Sequence, residues 1–324
     1  MSLDAARSSH KLFDLHVPLE GTRYLRHFSG EVDCLTEDEL RVRGRMRDHR
    51  FDLEHEWLLR TPTQDSPTYQ ILEARARYLA GEGERFSPDL CRAYQGLAGV
   101  PVGRGFTSRV LHQLGHAPGN REHLLLAIEM ARAGQQVYQV PPPLAAQVRA
   151  TLGPGVPLPL LSWSKDRAYM QELANSCYTY RDASGATFRE GGVRCGFDPT
   201  VSRAQPGTDR VFWRTKRLTI TTDPDAGPTG RYHCENWMED RVHDIRVAFD
   251  LHPDGTIRQA QSTGERLPYH GLCEKPHQRM AGLEGLRVTA AFVSQFAEQI
   301  GGAQGCTHLF DLSIDCLRLI DFHS

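Results

Sequence analysis

His233, Glu235, Asp240 and His243 fall in one short stretch, RYHCENWMEDRVHDIRVAFDL, residues 231–251. It holds two histidines, two glutamates, three aspartates and a cysteine in 21 positions. Such a density of titratable groups is either a working acid–base site or a solvated strand edge. If 232–238 is a strand, His233, Glu235 and Trp237 share one face, with neighbours on that face about 6.5–7 Å apart, a spacing that can bracket a substrate. His243 has the parity of Ile245, Val247 and Phe249, so it is expected to point toward the core. Burial together with Glu239 and Asp240 nearby would move an imidazole toward neutrality, which general acid–base chemistry requires. The competing reading is a salt-bridged edge that discourages strand pairing. That reading accounts easily for Arg241 and Asp244, and less well for two histidines and a tryptophan on inward faces.

Two further groups of residues carry chemistry. In SCYTYRDAS, 176–184, alternation puts Tyr178 and Tyr180 on one face, followed by Arg181. With Trp213 and Arg217 of FWRTKR they are suited to walling an aromatic ligand, the arginines offering a fork for an oxyanion or carboxylate. Tyrosines packed at a domain junction are the plainer alternative. The second group is Cys273, Cys306 and His308, which can hold zinc or iron. Zinc takes thiolate and imidazole ligands at about 2.0–2.3 Å in a tetrahedron, and three protein ligands leave one position open. His270 or His277 is available as a fourth. The spacing is not that of a zinc ribbon and the chain has no CxxC, so small buried cysteines at helix starts, with His308 capping there, are the alternative.

The elements that must position these groups come from a chain of 324 residues, enough for two ordinary domains. Hydrophobic content of 40% and charged content of 24% describe a globular protein with a core. A net charge of −2 gives no electrostatic reason to bind nucleic acid or an anionic membrane. No apolar run reaches the length of a signal peptide or a membrane span, so a cytoplasmic protein with its eight cysteines reduced is expected. No P-loop, GxSxG elbow or GxGxxG between strand and helix occurs, so nucleotide cofactors are not indicated.

Four blocks recur in one order, which predicts an internal duplication. GERFSPDLC (83–91) faces GERLPYHGLC (264–273), LAG (97–99) faces MAG (280–282), GFTSRVLHQLG (105–115) faces AFVSQFAEQIG (291–301), and EHLLLAIEMAR (122–132) faces THLFDLSIDCL (307–317). Upstream, 45–54 lies on 237–246, keeping Asp48 with Asp240 and Asp52 with Asp244. Each unit reads as strands then helices. Ile245, Val247, Phe249 and Leu251 alternate with polar residues, HPDG (252–255) has turn chemistry, and TIRQAQS returns as the partner strand. Later the period becomes helical, with Phe292, Phe296 and Ile300 on one face and Leu309, Leu312 and Cys316 on another. The expected fold is α+β: two tandem repeats, each an antiparallel meander followed by about three helices. A degenerate first repeat spans 1–139, a proline- and glycine-rich linker and an inserted segment fill 140–210, and the second repeat, 211–324, carries the reactive residues. In the first repeat Arg41, Arg43, Arg47 and Phe51 stand where the second has His233, Glu235, Glu239 and His243.

The residues LPYHGLC…MAGL…GGAQGCTHLFDL resemble a bacterial family known as domain of unknown function 2889, whose members end in a G-C-T-H-L box preceded by a cysteine-bearing segment. The likeness covers roughly 211–320. It implies no established chemistry, and it suggests bacteria that break down aromatic compounds. The order of hairpin, cysteine, helices and second cysteine is also similar to iron–sulfur scaffold proteins, although those use a third cysteine and the order His-Cys where this chain has Cys-Thr-His.

Taken together, these readings predict a cofactor-independent acid–base enzyme of aromatic catabolism, a lyase releasing a small carbonyl fragment such as formaldehyde from a lignin-derived phenolic. His233, Glu235, Asp240 and His243 would move protons, and Tyr178, Tyr180, Arg181, Trp213 and Arg217 would hold the substrate. The expected partner is a small aromatic molecule, with neither nucleic acid nor membrane, and a homo-oligomer is compatible with the chain. The alternatives are a zinc, iron or iron–sulfur protein using Cys273, Cys306 and His308, or a binding module without chemistry.

Overall fold

The computed structural model describes residues 13–322 apart from 16, 18, 64, 65, 67, 82–87, 116–118, 139, 199–204 and 223–229. The opening of the block 83–91 therefore lies outside the described residues.

Long alternating strands organise the fold. After β1 (Phe13–Leu15) come β2 (Arg23–Cys34), β3 (Glu39–Arg47), β4 (Phe51–Arg60) and β5 (Tyr69–Gly81), then α1 (Pro88–Gln95), the short β6 (Pro101–Val102), α2 (Phe106–Leu114) and α3 (Asn120–Gly134). The second series is β8 (Thr208–Thr222), β9 (Tyr232–Asp240), β10 (Asp244–Leu251) and β11 (Ile257–Arg266). A 3₁₀ stretch, Lys275–Leu283, follows, then α7 (Phe292–Ile300) and α8 (Thr307–Leu317). Both series join in one sheet, ordered β11-β10-β9-β8-β2-β3-β4-β5-β6 and antiparallel throughout. Its centre is the β2–β8 pair, with a four-stranded meander on either side. The α+β class with a large antiparallel sheet is as the sequence predicts.

One face of this sheet is dry. Val42, Leu53, Trp57 and Leu59 project into it from one meander, and Cys234, Ile245, Val247 and Phe249 from the other. The helix α3 packs on β2, β3 and β4, and α8 packs on β9 and β10. The predicted helical faces are the ones used, since Phe296 and Ile300 of α7 and Leu309, Leu312 and Cys316 of α8 are buried. Gly255 closes the 252–255 turn at φ 78°, a conformation a β-carbon would strain. The other face of the sheet carries charge, as in the pairs Arg43–Asp33, Arg45–Asp52 and Arg77–Glu54.

The segment between the two series is not the irregular linker its prolines suggest. It forms α4 (Pro142–Leu152), α5 (Leu158–Tyr169), a 3₁₀ turn at Gln171–Leu173, α6 (Ser184–Arg189) and the two-residue strand β7 (Arg194–Cys195), which pairs with β12 (Tyr269–His270). The prolines sit in the first turns of α4 and α5, where no intrahelical N–H is needed, and Gly153 ends α4. Residues 176–183 are turns, not the strand that alternation implied. This segment has its own apolar cluster, built on Leu160, Trp163, Phe188 and Tyr269. Finally β13 (Ile320–Phe322) pairs with β1. Among the described residues no helix is long and apolar enough to cross a membrane.

Candidate functional site

The tight turn between β9 and β10 positions the first reactive pair. Asp240 closes it: Oδ1 accepts the backbone N–H groups of Val242 and His243, each at 2.7 Å. The same oxygen lies 3.1 Å from Nδ1 of His243. On the other side, Oδ2 accepts Nε and Nη2 of Arg214 from β8, at 2.9 and 2.7 Å. Burial by itself would raise the Asp240 carboxyl; His243 and Arg214 outweigh it and hold the group well below the usual carboxylate range. An ionised carboxylate only accepts, so Nδ1 of His243 carries the hydrogen and Nε2 is left for other work. The ring of His243 packs 4.0 Å from that of His308, centroid to centroid. Burial, with His243, Arg214 and Arg132 around it, pushes His308 well below the ordinary imidazole value, so it is neutral.

His308 stands in the first turn of α8, and the G-C-T-H-L box sets its place. A β-carbon at Gly305 would lie 1.9 Å from the carbonyl oxygen of Ile300, so only glycine lets the chain cross there. The Gly305 carbonyl accepts the backbone N–H of Tyr178 at 2.8 Å, tying the inserted segment to the box. Between these elements lies a cavity of about 360 Å³. His243, His308, Cys306, Asp311 and Arg214 form one end, and Tyr138, Asp166, Tyr180 and Tyr269 are also in its wall. Behind the histidine end, Arg132 binds Asp311 (2.7 Å), Glu129 (2.6 Å) and Asp315 (3.0 Å). Lys216 reaches the same Glu129 and Asp315. This buried lattice fixes α3 and α8 to the centre of the sheet.

The structure divides the residues singled out by sequence. Asp240 and His243 are together at the cavity. His233 and Glu235 point to the opposite face of the sheet, where His233, its side chain 45% exposed, meets Asp250 at 2.7 Å and Glu235 faces Arg246 at 3.9 Å. There the salt-bridged surface is the better description. The sequence expectation of His233 and Trp237 on inward faces is not met: both take the outward parity of β9, and Cys234 and Asn236 are the residues that face α8. Tyr180 lines the cavity. Tyr178 instead stacks under the Arg181 guanidinium, 3.6 Å from ring centroid to Cζ, and Arg181 donates to Gln304. Trp213 and Arg217 have outward parity on β8, Arg217 lying over Trp237 at 5.6 Å.

Cys273, Cys306 and His308 all line the cavity, and so does Cys177. Their arrangement does not suit a metal. Among the described residues no three His, Cys, Asp or Glu side chains are placed to hold one. Burial pushes the Cys306 thiol up to about 12 and the Cys273 thiol higher still, against the thiolate that a metal needs. Cys273 instead shares a hydrogen bond with Thr179 at 3.1 Å.

Asp166, Tyr138, Tyr269, Arg132 and Arg214 are cavity residues that sequence reasoning missed. Arg214 had a signal: it shares the parity of the buried Phe212, Leu218 and Ile220 on one strand, so a cation was due to be buried there. Asp166 and Tyr138 had none.

Residues 221–318 match the family described as protein of unknown function (DUF2889). This stretch belongs to that family. It contains β9 to β11, the Asp240–His243 turn and the G-C-T-H-L box, while Arg132, Tyr138, Asp166, Tyr180 and Arg214 come from outside it. No curated protein and no solved structure matches the chain, so the distant likeness to iron–sulfur scaffold proteins gains no support.

Proposed function

We propose that the protein is a cofactor-independent lyase acting on a small aromatic compound, with His243 as the general base. The observation that carries this reading is the Asp240–His243 pair, buried, oriented through Nδ1 and set in the wall of a cavity that is also lined by tyrosines. Nε2 takes the proton of a substrate hydroxymethyl group. The adjoining carbon–carbon bond then breaks, a carbonyl fragment such as formaldehyde leaves, and the electron pair stays on the carbon conjugated with the aromatic system. The imidazolium returns the proton to that carbon, so the step needs no oxidant or reductant. Asp240 fixes the tautomer and stabilises the imidazolium. Neutral His308 adds no second positive charge and can donate one N–H to the departing oxygen. His233 and Glu235, on the far face, have no part.

We also read the two meanders as copies of one unit. The matching turn acids Asp48 and Asp240 support this, since each accepts two backbone N–H groups in the hairpin that follows.

The test is incubation of the purified protein with hydroxymethyl-bearing phenolic compounds and assay of released aldehyde. Release by the natural protein and its loss in His243→Ala, with circular dichroism unchanged, are expected. Release that survives His243→Ala would sink the assignment. Elemental analysis finding one zinc or iron per chain would move the chemistry to Cys273, Cys306 and His308.

A further inference from the structure

The wall of the cavity contributed by the inserted segment contains a carboxylate held by phenols. Asp166 of α5, 8% exposed, accepts the hydroxyl of Tyr138 on Oδ1 at 2.7 Å and that of Tyr180 on Oδ2 at 2.8 Å. The Tyr269 hydroxyl reaches both the Ser162 hydroxyl (3.2 Å) and Oδ2 (3.4 Å). These partners come from the segment after α3, from α5, from the turn after it and from β12, so the cluster is built by four separate segments and is lost if any one moves.

Its polarity follows from counting protons. A phenol has one hydrogen, and Tyr138 and Tyr180 spend theirs on Asp166. What they and the carboxylate still offer the cavity is lone pairs. A ligand atom arriving at these three groups must therefore be a donor, and a ligand carboxylate there would meet the acceptor side of Tyr138, Tyr180 and Asp166.

The charges lead to the same conclusion. Two arginines and three acids line the cavity: Arg132 and Arg214 against Asp166, Glu172 and Asp311. Both arginines are already paired, Arg214 with Asp240 and Arg132 with Glu129, Asp311 and Asp315. Among the described residues neither arginine of the wall is free to neutralise an anion, and moving a carboxylate beside Asp166 costs its hydration without an arginine to return it.

We infer that the Asp166–Tyr138–Tyr180 cluster is a binding subsite for the free hydroxyl of an uncharged aromatic ligand, and that it excludes carboxylated analogues. The ligand hydroxyl donates to this cluster while the rest of the molecule extends through the cavity toward His243. This deepens the reading of the cavity as a substrate site, and it does not depend on which bond is broken there.

Equilibrium binding tests it without turnover. Titration calorimetry at pH 7 compares 4-hydroxy-3-methoxybenzyl alcohol, its phenol methyl ether and 4-hydroxy-3-methoxybenzoate. The free phenol is expected to bind about tenfold more tightly than the ether, the effect of one hydrogen bond, and the benzoate more weakly than the phenol by at least as much. Asp166→Asn turns one acceptor into a donor, so it is expected to weaken the phenol and narrow its advantage over the benzoate. Circular dichroism checks its folding, and the comparison in the natural protein stands even if that variant does not fold. Equal or tighter binding of the benzoate, or of the ether, overturns the inference. So does a folded Asp166→Asn protein with unchanged preferences. The predicted order of binding, with no aldehyde released in the turnover assay from phenolic compounds whose hydroxymethyl group is carried on a side-chain carbon next to the ring, would instead remove the lyase reading and leave the subsite in place. Absence of binding by all three would overturn both.

Discussion

The hairpins at Asp48 and Asp240 are built alike and end differently. In each, the acid follows the third-from-outermost strand of its meander, accepts two backbone N–H groups, and has a second oxygen held from the neighbouring long strand. For Asp48 that partner is the Tyr24 hydroxyl at 2.9 Å; for Asp240 it is the Arg214 guanidinium. Three residues beyond the acid stands buried Phe51, which opens the next strand, in one half, and buried His243, just before the next strand, in the other. Each half also buries a histidine at the start of a helix. His123 is enclosed by partners, 2.9 Å from His55 and 2.7 Å from the Tyr78 hydroxyl, with Tyr94 against it. His308 lies instead beside His243 at the cavity. The first half has filled the place with aromatic side chains, and the second has left it open under the inserted segment. A shared turn is thus architecture, and the residue that follows it decides whether there is chemistry.

That comparison can be broken most sharply by writing one half into the other. His243→Phe, the residue of the first half, is expected to lower turnover by about 10²–10⁴-fold, the range for loss of a general base, while the fold persists. Aldehyde release at saturating substrate checks it, and retention of more than a tenth of the rate would place the base elsewhere. Asp240→Ala strands the Arg214 guanidinium in the interior and is expected to cost about 3–5 kcal/mol in urea unfolding. The matched change Asp48→Ala removes acceptors from neutral donors and from Arg50 at the turn, and is expected to cost less, about 1–3 kcal/mol. Equal losses would show that Arg214 gains nothing from its partner.

The pH dependence has a definite sign. The folded Asp240 carboxyl is held below its unfolded value of about 3.9, so its contribution is complete above that pH and falls as pH drops below about 4. The stability gap between the natural protein and Asp240→Asn is therefore expected to shrink as the pH falls below about 4. A gap that widens on acidification would contradict the ionised assignment. Smallest of all, His233→Ala and Glu235→Gln on the open face are expected to change stability by about 0–1 kcal/mol and turnover hardly at all. A large loss of turnover from either would move the site to the other side of the sheet.

Much of the local structure was legible. The alternation of β10, the 252–255 turn and the buried faces of α7 and α8 follow from periods that each segment carries within itself. The Asp240–His243 pair was legible too, because both members lie in one turn. His233 and Glu235 were grouped with them by sequence proximity, and His233 was expected on an inward face, whereas β9 turns it away from the helices.

The amino-acid sequence by itself therefore determined the elements, their amphipathic faces and the turn that holds the reactive histidine, since these depend on neighbours a few residues apart. Only the tertiary structure decided which face of β9 the helices cover, and only it turned the proline-bearing segment into helices that roof a cavity. It alone brought Arg132, Tyr138, Asp166 and Arg214 to His243 and His308. Those contacts join residues from distant parts of the chain, and no local period or propensity records a partner that far away.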